Sequence, residues 1–298
     1  MDQHYINMKR SLEFVEKMYE EYLAGASQVE LSKKYCSDVY YQFKTKGFKT
    51  RTTSESVILR RTGRMKLNYS FESISNEYEA YIVGFFMADG WVGRNQLGFR
   101  LKKSDVEIVE RIKNYFHSNI KLQSEPGSNS FVVSSRTACL NAVKLGILSN
   151  KTKERIQIPD MDKSLVRHFI RGYFDGDGTI FICNSRGSQY LKGNICSPRI
   201  EILEEIQKVL IENGIFCTIN KENRKGKKMA CPNINGFCVG KMDMYRLFFR
   251  KKHSIKRLFN YFYDNSTIFL QRKFNVFNDN KHLLKYEKIK YDNAEVSY

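Results

Sequence analysis

The chain has 298 residues and a mass of 35.0 kDa, which is long enough to bury a core and to hold two or three domains. Its 50 lysine and arginine residues outnumber 32 acidic residues, so the net charge is +18 and the isoelectric point is about 9.5. This excess indicates a polyanionic partner, and nucleic acid is favoured over a membrane because the basic residues are spread along the whole chain. No stretch approaches the ~20 apolar residues of a membrane span, and the N-terminal sequence MDQHYINMKR lacks the apolar segment of a signal peptide.

The cysteines do not suggest disulfides or a zinc site. There are seven of them, an odd number without close pairs, and no histidine lies at zinc-finger spacing. We therefore interpret them as reduced core residues of an intracellular protein, in the cytoplasm, the nucleoid or an organelle. The five histidines are scattered, and none is predicted to be a ligand.

The first 52 residues predict a small all-helical unit. Apolar residues recur every three or four positions between Ser11 and Leu23, a capping-box sequence begins at Ser27, and Asp38 opens a third helix. Three short helices with a basic ending are typical of a helix-turn-helix unit, whose third helix enters the DNA major groove. A helical bundle with a basic surface is the alternative. The candidate base-reading residues are Tyr40, Tyr41, Gln42, Lys44 and Lys46.

Residues 53–74 are polar and basic without strong periodicity. They are interpreted as a linker, which either follows a phosphate backbone or is simply flexible.

Two nine-residue stretches are copies of each other: IVGFFMADG at Ile82–Gly90 and IRGYFDGDG at Ile170–Gly178. Each follows a helical pattern and leads into a β-type run, which predicts a helix that ends at the final glycine. The copies agree at five positions, Ile82/Ile170, Gly84/Gly172, Phe86/Phe174, Asp89/Asp177 and Gly90/Gly178.

The spacing within each copy puts small residues on one helical face and an acid at the helix end. The small residues form the predicted helix interface, and they are Gly84, Ala88, Gly172 and Gly176. A carboxylate at a helix C-terminus is disfavoured by ~0.3–1 kcal/mol, and packing along the small faces would bring Asp89 and Asp177 together. A divalent cation between the acids removes both costs. The alternative is an Asp-Gly turn after each helix, but two copies of the whole pattern favour the metal site.

The two stretches resemble the paired LAGLIDADG motifs of homing endonucleases in their two-copy, single-chain form. The resemblance covers about Ser75 to Asn278, with the motif acids 88 residues apart. In that family the eighth motif position is the metal-binding catalytic acid, which here is Asp89 or Asp177. The sixth position, Met87 in the first copy, is not the principal metal ligand, so Met87 alone does not indicate an inactive enzyme.

The copies also depart from the family pattern. Phe85, Phe86 and Met87 are bulkier or less polar than usual, the second copy has Asp175 at the sixth position, and Arg171 replaces a small second residue.

The order helix, hairpin, helix, hairpin, helix occurs twice and predicts the fold class. We expect an α+β protein in which two pseudo-twofold-related αββαββα repeats, 75–160 and 161–279, form a saddle of antiparallel sheets over DNA. A polar tail, 280–298, follows the second repeat. Residues Met242–Arg250 are predicted to be helical, and a last helix begins near Ile268.

Alternation of apolar and basic residues in Leu97–Lys103 predicts a half-buried strand with a basic outer face. Such a ribbon fits the major groove; a solvated strand face is the alternative for any single residue. The candidate DNA-binding residues outside the N-terminal unit are Arg94, Arg100, Lys102, Arg186, Lys192, Arg224, Lys225 and Lys227.

The resemblance implies phosphodiester hydrolysis with two or three Mg²⁺ ions at the domain interface, where Mn²⁺ or Ca²⁺ substitutes in binding. Asp89 and Asp177 are the expected ligands, and the carbonyls of Ala88 and Gly176 are candidates to complete the shell. Other predicted catalytic residues are the basic Lys151 and Lys273 and the water-ordering Lys103 and Ser197.

We therefore expect a monomeric, site-specific endonuclease for double-stranded DNA, without a membrane partner, that recognises a long asymmetric target and leaves staggered 3′ overhangs. The ends of the chain, Met1 and Val296-Ser297-Tyr298, are not intein-like, so a free-standing or intron-encoded protein is expected. The alternative is a non-cleaving DNA-binding regulator or an intron RNA maturase, which often loses the acids. A structure-specific RNA nuclease lacks support from any RNA-binding module signature.

Overall fold

A computed structural model describes residues 10–53, 55–56, 67–116, 122–148, 156–185, 187–231 and 236–284. The chain forms two compact units, Met1–Lys66 and Leu67–Tyr298. The predicted linker 53–74 therefore ends earlier than expected, because Tyr69 and Phe71 are buried in the larger unit. The Phe71 ring lies 5.4 Å from that of Phe86.

The smaller unit contains the three expected helices, α1 (Leu12–Leu23), α2 (Gln28–Tyr35) and α3 (Val39–Thr45). Each begins at a side-chain cap. The Ser27 hydroxyl accepts from Glu30 N at 3.1 Å while Ser27 N donates to the Glu30 carboxylate at 2.9 Å, which completes the capping box. Asp38 accepts from Tyr41 N at 3.0 Å. The sequence signals for helix starts are thus confirmed.

The core of the smaller unit corrects one predicted DNA contact. Gln42 is fully buried, and its side-chain carbonyl accepts from Arg10 N at 3.1 Å, so it does not present its amide to a base edge. Tyr40 is 56% exposed and Lys44 is exposed, whereas Tyr41 and Lys46 are half-buried. The surrounding core consists of Val15, Met18, Tyr22, Leu31, Val39 and Phe43.

The larger unit holds two repeats with the same order of elements. The first contains α4 (Glu77–Asp89), β1 (Trp91–Val92), β2 (Leu97–Lys102), α5 (Val106–Phe116), β3 (Gln123–Glu125), β4 (Ser128–Val133) and α6 (Arg136–Lys144). The second contains α7 (Lys163–Asp177), β5 (Gly178–Ser185), β6 (Ser188–Ser197), α8 (Ile200–Glu212), β7 (Thr218–Glu222), β8 (Lys228–Cys231), β9 (Gly236–Val239), β10 (Met244–Phe249), α9 (Lys252–Tyr263) and α10 (Gln271–Asp279).

The two main sheets are antiparallel and have equivalent strand orders, β1-β2-β4-β3 and β5-β6-β10-β7. The expected α+β fold class with two equivalent repeats and antiparallel sheets is therefore confirmed. In β2 the apolar Leu97, Phe99 and Leu101 are buried and Arg100 is exposed, as the alternation predicted. Across the described ranges, no helix is both long enough and apolar enough to span a membrane.

The prediction of a helix at Met242–Arg250 is wrong. This segment contains strand β10, which pairs with β6 on one side and β7 on the other. In β10, Leu247 and Phe249 are buried, whereas Arg246 is half-buried. This alternation has the two-residue period of a strand. The bulky residues Tyr245 to Phe249 favour a pleated, half-covered surface, and tertiary pairing decides the outcome.

The two motif helices, α4 and α7, pack against each other through their glycines. A Cβ atom added to Gly84 would lie 2.9 Å from the carbonyl carbon of Phe169 and 3.0 Å from Tyr173 N. A Cβ added to Gly172 would lie at the same two distances from Tyr81 C and Phe85 N. The matching distances reflect the pseudo-twofold axis between the repeats, and they leave no room for side chains at these two positions.

Gly84→Ala should destabilise the larger unit by about 1–3 kcal/mol, because the new methyl group meets backbone atoms that cannot move aside. Gly93→Ala is the matched control, since its added Cβ would come no closer than 3.4 Å to Gln96 O and its change should stay within about 0.5 kcal/mol. Urea unfolding of both variants measures the difference. Equal stability of the two variants would show that the helices do not approach this closely.

Candidate metal centre and nucleic-acid interface

The two motif acids lie at the same end of the helix pair. Asp89 and Asp177 are the last residues of α4 and α7, and each helix ends at the following glycine. Near these ends a Cβ on Gly176 would collide with the Ala88 methyl group and would lie 3.3 Å from Asp89 N. Asp89 is exposed and Asp177 is half-buried. The helix interface thus brings the two acid-bearing ends together at the junction of the repeats.

Lys273 lies close to this junction but is engaged with backbone atoms. Its buried ammonium donates to the carbonyls of Phe174, Asp175 and Gly178 at 2.6, 2.8 and 2.6 Å. Burial lowers the pKa of Lys273 to about 8, while the charges of Asp175, Asp89 and Asp177 act in the opposite direction.

These contacts engage the whole Lys273 ammonium with the backbone, while its catalytic role stays a prediction. An ammonium has three N–H donors, and here all three hold carbonyls at the end of α7. The charge also offsets the partial negative charge of a helix C-terminus. Lys273 thus holds the end of α7 in this structure, and contact with a substrate phosphate would require breaking these bonds. Its predicted counterpart, Lys151, lies outside the described residues.

The oxygen atoms at the junction suit a hard divalent cation. Carboxylate and backbone carbonyl oxygens are the donors that Mg²⁺ prefers. The carbonyls held by Lys273 flank Gly176 without including it, so the Gly176 carbonyl is not consumed by that lysine. In the described parts of the chain no three His, Cys, Asp or Glu side chains cluster at metal-binding distance. A metal would therefore be held by Asp89, Asp177 and such carbonyls, with oxygens from water and substrate.

Asp175, at the sixth motif position, has a structural role. Its buried carboxylate accepts from the Tyr81 hydroxyl at 2.9 Å and from Leu270 N at 2.7 Å. Burial raises the pKa of Asp175, against the opposing effect of the Lys273 charge. The carboxyl thus connects α7 to α4 and to the segment before α10, and it faces the core instead of the junction of the acids. Met87, its counterpart, is also buried.

Arg171, at the second motif position, joins the repeats by an ion pair. Its guanidinium lies 2.7 Å from the Glu77 carboxylate of α4 and donates to the carbonyls of Ile268 and Phe262 at 2.9 and 2.8 Å. It also donates to His168 Nδ1 at 2.8 Å. Burial, followed by the Arg171 charge, lowers the pKa of His168 to about 4. The side chain extends beyond the small-residue contact, so an arginine here is compatible with tight helix packing.

Ser197 is fully buried at the end of β6. Its hydroxyl accepts from Arg199 N at 3.1 Å and from the Tyr173 hydroxyl at 3.4 Å. These contacts anchor the strand end to α7, and the hydroxyl faces the helices, not the open side of the sheet. The predicted water-ordering role is therefore not supported by its position.

Lys103 is exposed just after β2, and its backbone N–H donates to Gly127 O at 3.2 Å. When the two sheets are aligned by their registers, Lys103 corresponds to Arg199, whereas Ser197 corresponds to Leu101. The two residues predicted to play one role thus occupy different places in the repeats.

The open face of each sheet, meaning the side away from the packed helices, carries basic residues. Arg100 and Lys102 project from β2, and Arg100 pairs with Glu125 at 3.0 Å. On the second sheet, Lys192 is half-buried with its ammonium 4.9 Å from the Tyr190 ring centre. The other predicted DNA contacts in the described chain are exposed Arg94, Lys225 and Lys227 and half-buried Arg224, while Arg186 lies outside it.

One basic residue near the acids was missed because its segment was assigned to a helix. Arg246 pairs with Cys196, which lies one residue beyond the β5–β6 ladder and next to Asp177 in register. Burial raises the pKa of the Cys196 thiol, an effect that Arg246 opposes and Asp177 increases. Arg246 is held 2.5 Å from Glu222. The period of two in this segment was the signal that could have placed Arg246 on the open face.

Comparison with known families gives a match within the second repeat. Residues 164–261 match the family model described as LAGLIDADG-like domain, a segment that runs from α7 into α9 and includes Asp177. The resemblance inferred from the two nine-residue motifs is thus confirmed.

Several solved structures are similar to this chain. The LAGLIDADG meganuclease I-AabMI bound to uncleaved DNA is 13% identical with a TM-score of 0.45, over 70% of this chain and 90% of that chain. The homing endonuclease I-LtrWI bound to target DNA is 16% identical with a TM-score of 0.45, over 70% and 89%. I-SmaMI bound to cleaved DNA is 13% identical with a TM-score of 0.44, over 70% and 92%.

A curated protein described as probable translation initiation factor IF-2, from Methanocaldococcus jannaschii, is 26% identical over 152 residues. The aligned region is 45% of this chain but 13% of that protein, so the chain matches only a small part of this relative's length.

Lys273→Met should destabilise the larger unit by at least about 2 kcal/mol, because three carbonyls near the end of α7 lose their buried donor. Lys281→Met, at an exposed lysine, is the control and should change stability by less than about 0.5 kcal/mol. Thermal unfolding reports both values. A Lys273→Met protein with unchanged stability but no nuclease activity would support the predicted catalytic role.

Proposed function

We propose that this chain, whose second repeat is a LAGLIDADG-like domain, is a site-specific endonuclease that hydrolyses double-stranded DNA with divalent metal ions. The observation that carries the proposal is the meeting of the ends of α4 and α7. The close approach at Ala88 and Gly176 brings together two helix ends that each finish in an aspartate. A helix C-terminus disfavours a carboxylate, and a divalent cation between Asp89 and Asp177 would offset this cost at both helix ends.

The residues at the junction suit phosphodiester hydrolysis. Bound Mg²⁺ would neutralise charge on the phosphate and activate a water nucleophile. Asp89 and Asp177 would hold the ions, and Lys273 keeps the end of α7 in place through its three hydrogen bonds to carbonyls. Two acids related by a pseudo-twofold axis suit a duplex, because its two strands present one phosphate to each half. Staggered 3′ overhangs belong to the same proposal.

Charge supports DNA as the substrate. The net charge is +18, and Arg100, Lys102 and Lys192 lie on the open faces of the two sheets. Two-stranded ribbons fit the major groove, where arginine and lysine contact guanine or phosphate. The relatives I-AabMI and I-LtrWI are described as bound to DNA. We propose the same partner here, with a long asymmetric target read by a single intracellular chain.

The rival function is DNA or RNA binding without cleavage, as a regulator or a maturase. The fold and the basic faces are compatible with it. Retention of both aspartates favours cleavage, because a binding protein has no need for two carboxylates at a junction that faces a polyanion.

Asp177→Asn should lower the cleavage rate at least about a hundredfold, since a metal ligand that supplies several kcal/mol of stabilisation is lost. Asp279→Asn is the matched control, because Asp279 is an exposed aspartate at the end of a helix, α10, that has no such partner. The measurement is cleavage of a randomised duplex library with Mg²⁺, followed by sequencing of the cut ends, with EDTA and Ca²⁺ as metal controls.

Cleavage that depends on Mg²⁺, survives in the control and is lost in Asp177→Asn would support the proposal. Binding of DNA by the wild-type chain without any cleavage would instead support the regulator. Cleavage by Asp177→Asn at the wild-type rate would remove Asp177 from the site.

We propose that the N-terminal unit adds a sequence-independent contact to DNA through Lys44 in the last turn of α3 and Lys46 at its C-cap. The double change of these lysines to Gln in the full chain should reduce the slope of log affinity against log salt by roughly 1–2, about 0.9 for each phosphate contact. Lys17→Gln on α1, an exposed lysine away from this segment, should change the slope less. Equal slopes for the wild-type and double variants would exclude this contact.

A further inference from the structure

The two repeats differ in the connection that joins β3 to β4 in the first repeat and β7 to β10 in the second. In the first repeat β3 and β4 are joined through Pro126 and Gly127, whereas residues 223–243 separate β7 from β10 in the second. This insertion contains the two-stranded sheet β8–β9, which we call the insertion ribbon. The insertion has five basic residues and one acid, so it is far more basic than the chain as a whole.

The base of the insertion ribbon is fixed by backbone contacts. The Asp243 carboxylate accepts from Arg224 N and Lys225 N at 3.0 and 3.1 Å, and it pairs with Lys221 at 3.0 Å. Gly226 N donates to Gly240 O at 2.8 Å, which joins the residues just before β8 to those just after β9. The ribbon is therefore anchored at its base by the only acid of the insertion, and its lysines extend from a defined position.

The insertion leaves the sheet near the motif acid of the second repeat. Glu222 and Met244 form the last pair of the β7–β10 ladder, two residues from Arg246. Two residues of a strand span about 7 Å. Arg246 pairs with Cys196, and the neighbouring Ile195 pairs with Gly178, the residue after Asp177, so the insertion begins near the acid end of α7.

One face of the insertion ribbon is apolar and exposed. Phe237 and Val239 are 76% and 57% exposed, and Val239 is paired with the exposed Lys228. Alternate residues of a strand share a face, so Phe237 lies on the same face as Val239. Large exposed apolar side chains beside a basic rim indicate a binding surface.

We propose that the insertion ribbon is a DNA-contacting element that inserts into the groove beside the cut made at the second repeat. This inference rests on the proposed nuclease function. Lys225, Lys227 and Lys228 contact phosphates, while Phe237 and Val239 contact base edges, with thymine methyl groups as the apolar partners in the major groove. Strands of four residues span about 13 Å, which corresponds to about four base pairs at 3.4 Å per pair.

The charge of the insertion favours DNA over a protein partner. Protein interfaces are depleted in lysine at their centre, whereas here Lys228 lies directly opposite Val239 in the ribbon. The first repeat has no equivalent element between β3 and β4, so the contact falls on one half of the target only. An asymmetric target would thus be recognised by asymmetric extra contacts close to the scissile phosphates.

The test compares full-length variants on the target sequence selected from the randomised library. Phe237→Ala should weaken DNA binding about tenfold, and selection for particular base pairs should relax over about four positions beside one cut only. Lys227→Gln combined with Lys228→Gln should reduce the salt slope by about 1–2. Hydroxyl-radical footprinting with Ca²⁺ in place of Mg²⁺ locates the positions that lose protection.

The matched controls lie on α8, which packs against β6, β7 and β10 on the side opposite the open face. Ile211→Ala and Lys208→Gln remove an exposed apolar and an exposed basic residue there, and both should leave the footprint unchanged. Circular dichroism verifies that every variant is folded.

An unchanged footprint and base preference in the ribbon variants, with DNA binding intact, would overturn this inference and leave the nuclease proposal standing. Loss of protection at the far end of the half-site instead of beside the cut would also overturn it. A wild-type chain that binds no DNA would reject the proposed function itself, and the inference with it.

Discussion

The close backbone contact between α4 and α7 is the constraint on which the larger unit depends. Gly84 and Gly172 permit it, and the matching distances on the two sides show that it obeys the pseudo-twofold axis. Because both helices end in an aspartate one residue after the Ala88 and Gly176 contact, the packing that stabilises the fold also assembles the candidate metal centre. Helix packing and the candidate metal centre therefore both require small residues at these positions, so a substitution there would affect both.

The sequence predicted the parts of the site that depend on local pattern. The helix ends, the small faces and the two acids followed from residues that are close in the chain. The contacts of Lys273 and Arg171 could not be predicted, because their partners are carbonyls about one hundred positions away in sequence. The strand at Met244–Phe249 was mistaken for a helix, since its pairing with β6 and β7 is long-range and its bulky residues suit either structure.

The two repeats share a framework but have diverged in their supporting contacts. The second motif carries a buried ion pair between Arg171 and Glu77 and a buried carboxylate at Asp175, and both reach across to α4. The first motif has Met87 at the position of Asp175 and packs through aromatic rings, with Phe86 5.2 Å from Phe99. Both motifs pack through a phenylalanine, Phe86 or Phe174, but the buried polar contacts of Arg171 and Asp175 belong to the second motif.

The anchoring of α7 by a residue of α10 has a consequence for where this half of the molecule ends. The recognised domain match stops at residue 261, yet the carbonyls around Asp175 are held by Lys273, and Arg171 is held partly by Ile268. A fragment trimmed to the matched region would keep the motif and lose the groups that neutralise its helix end. Exchange of this half with another scaffold must therefore include the chain through α10, so that Lys273 is transferred together with Asp177.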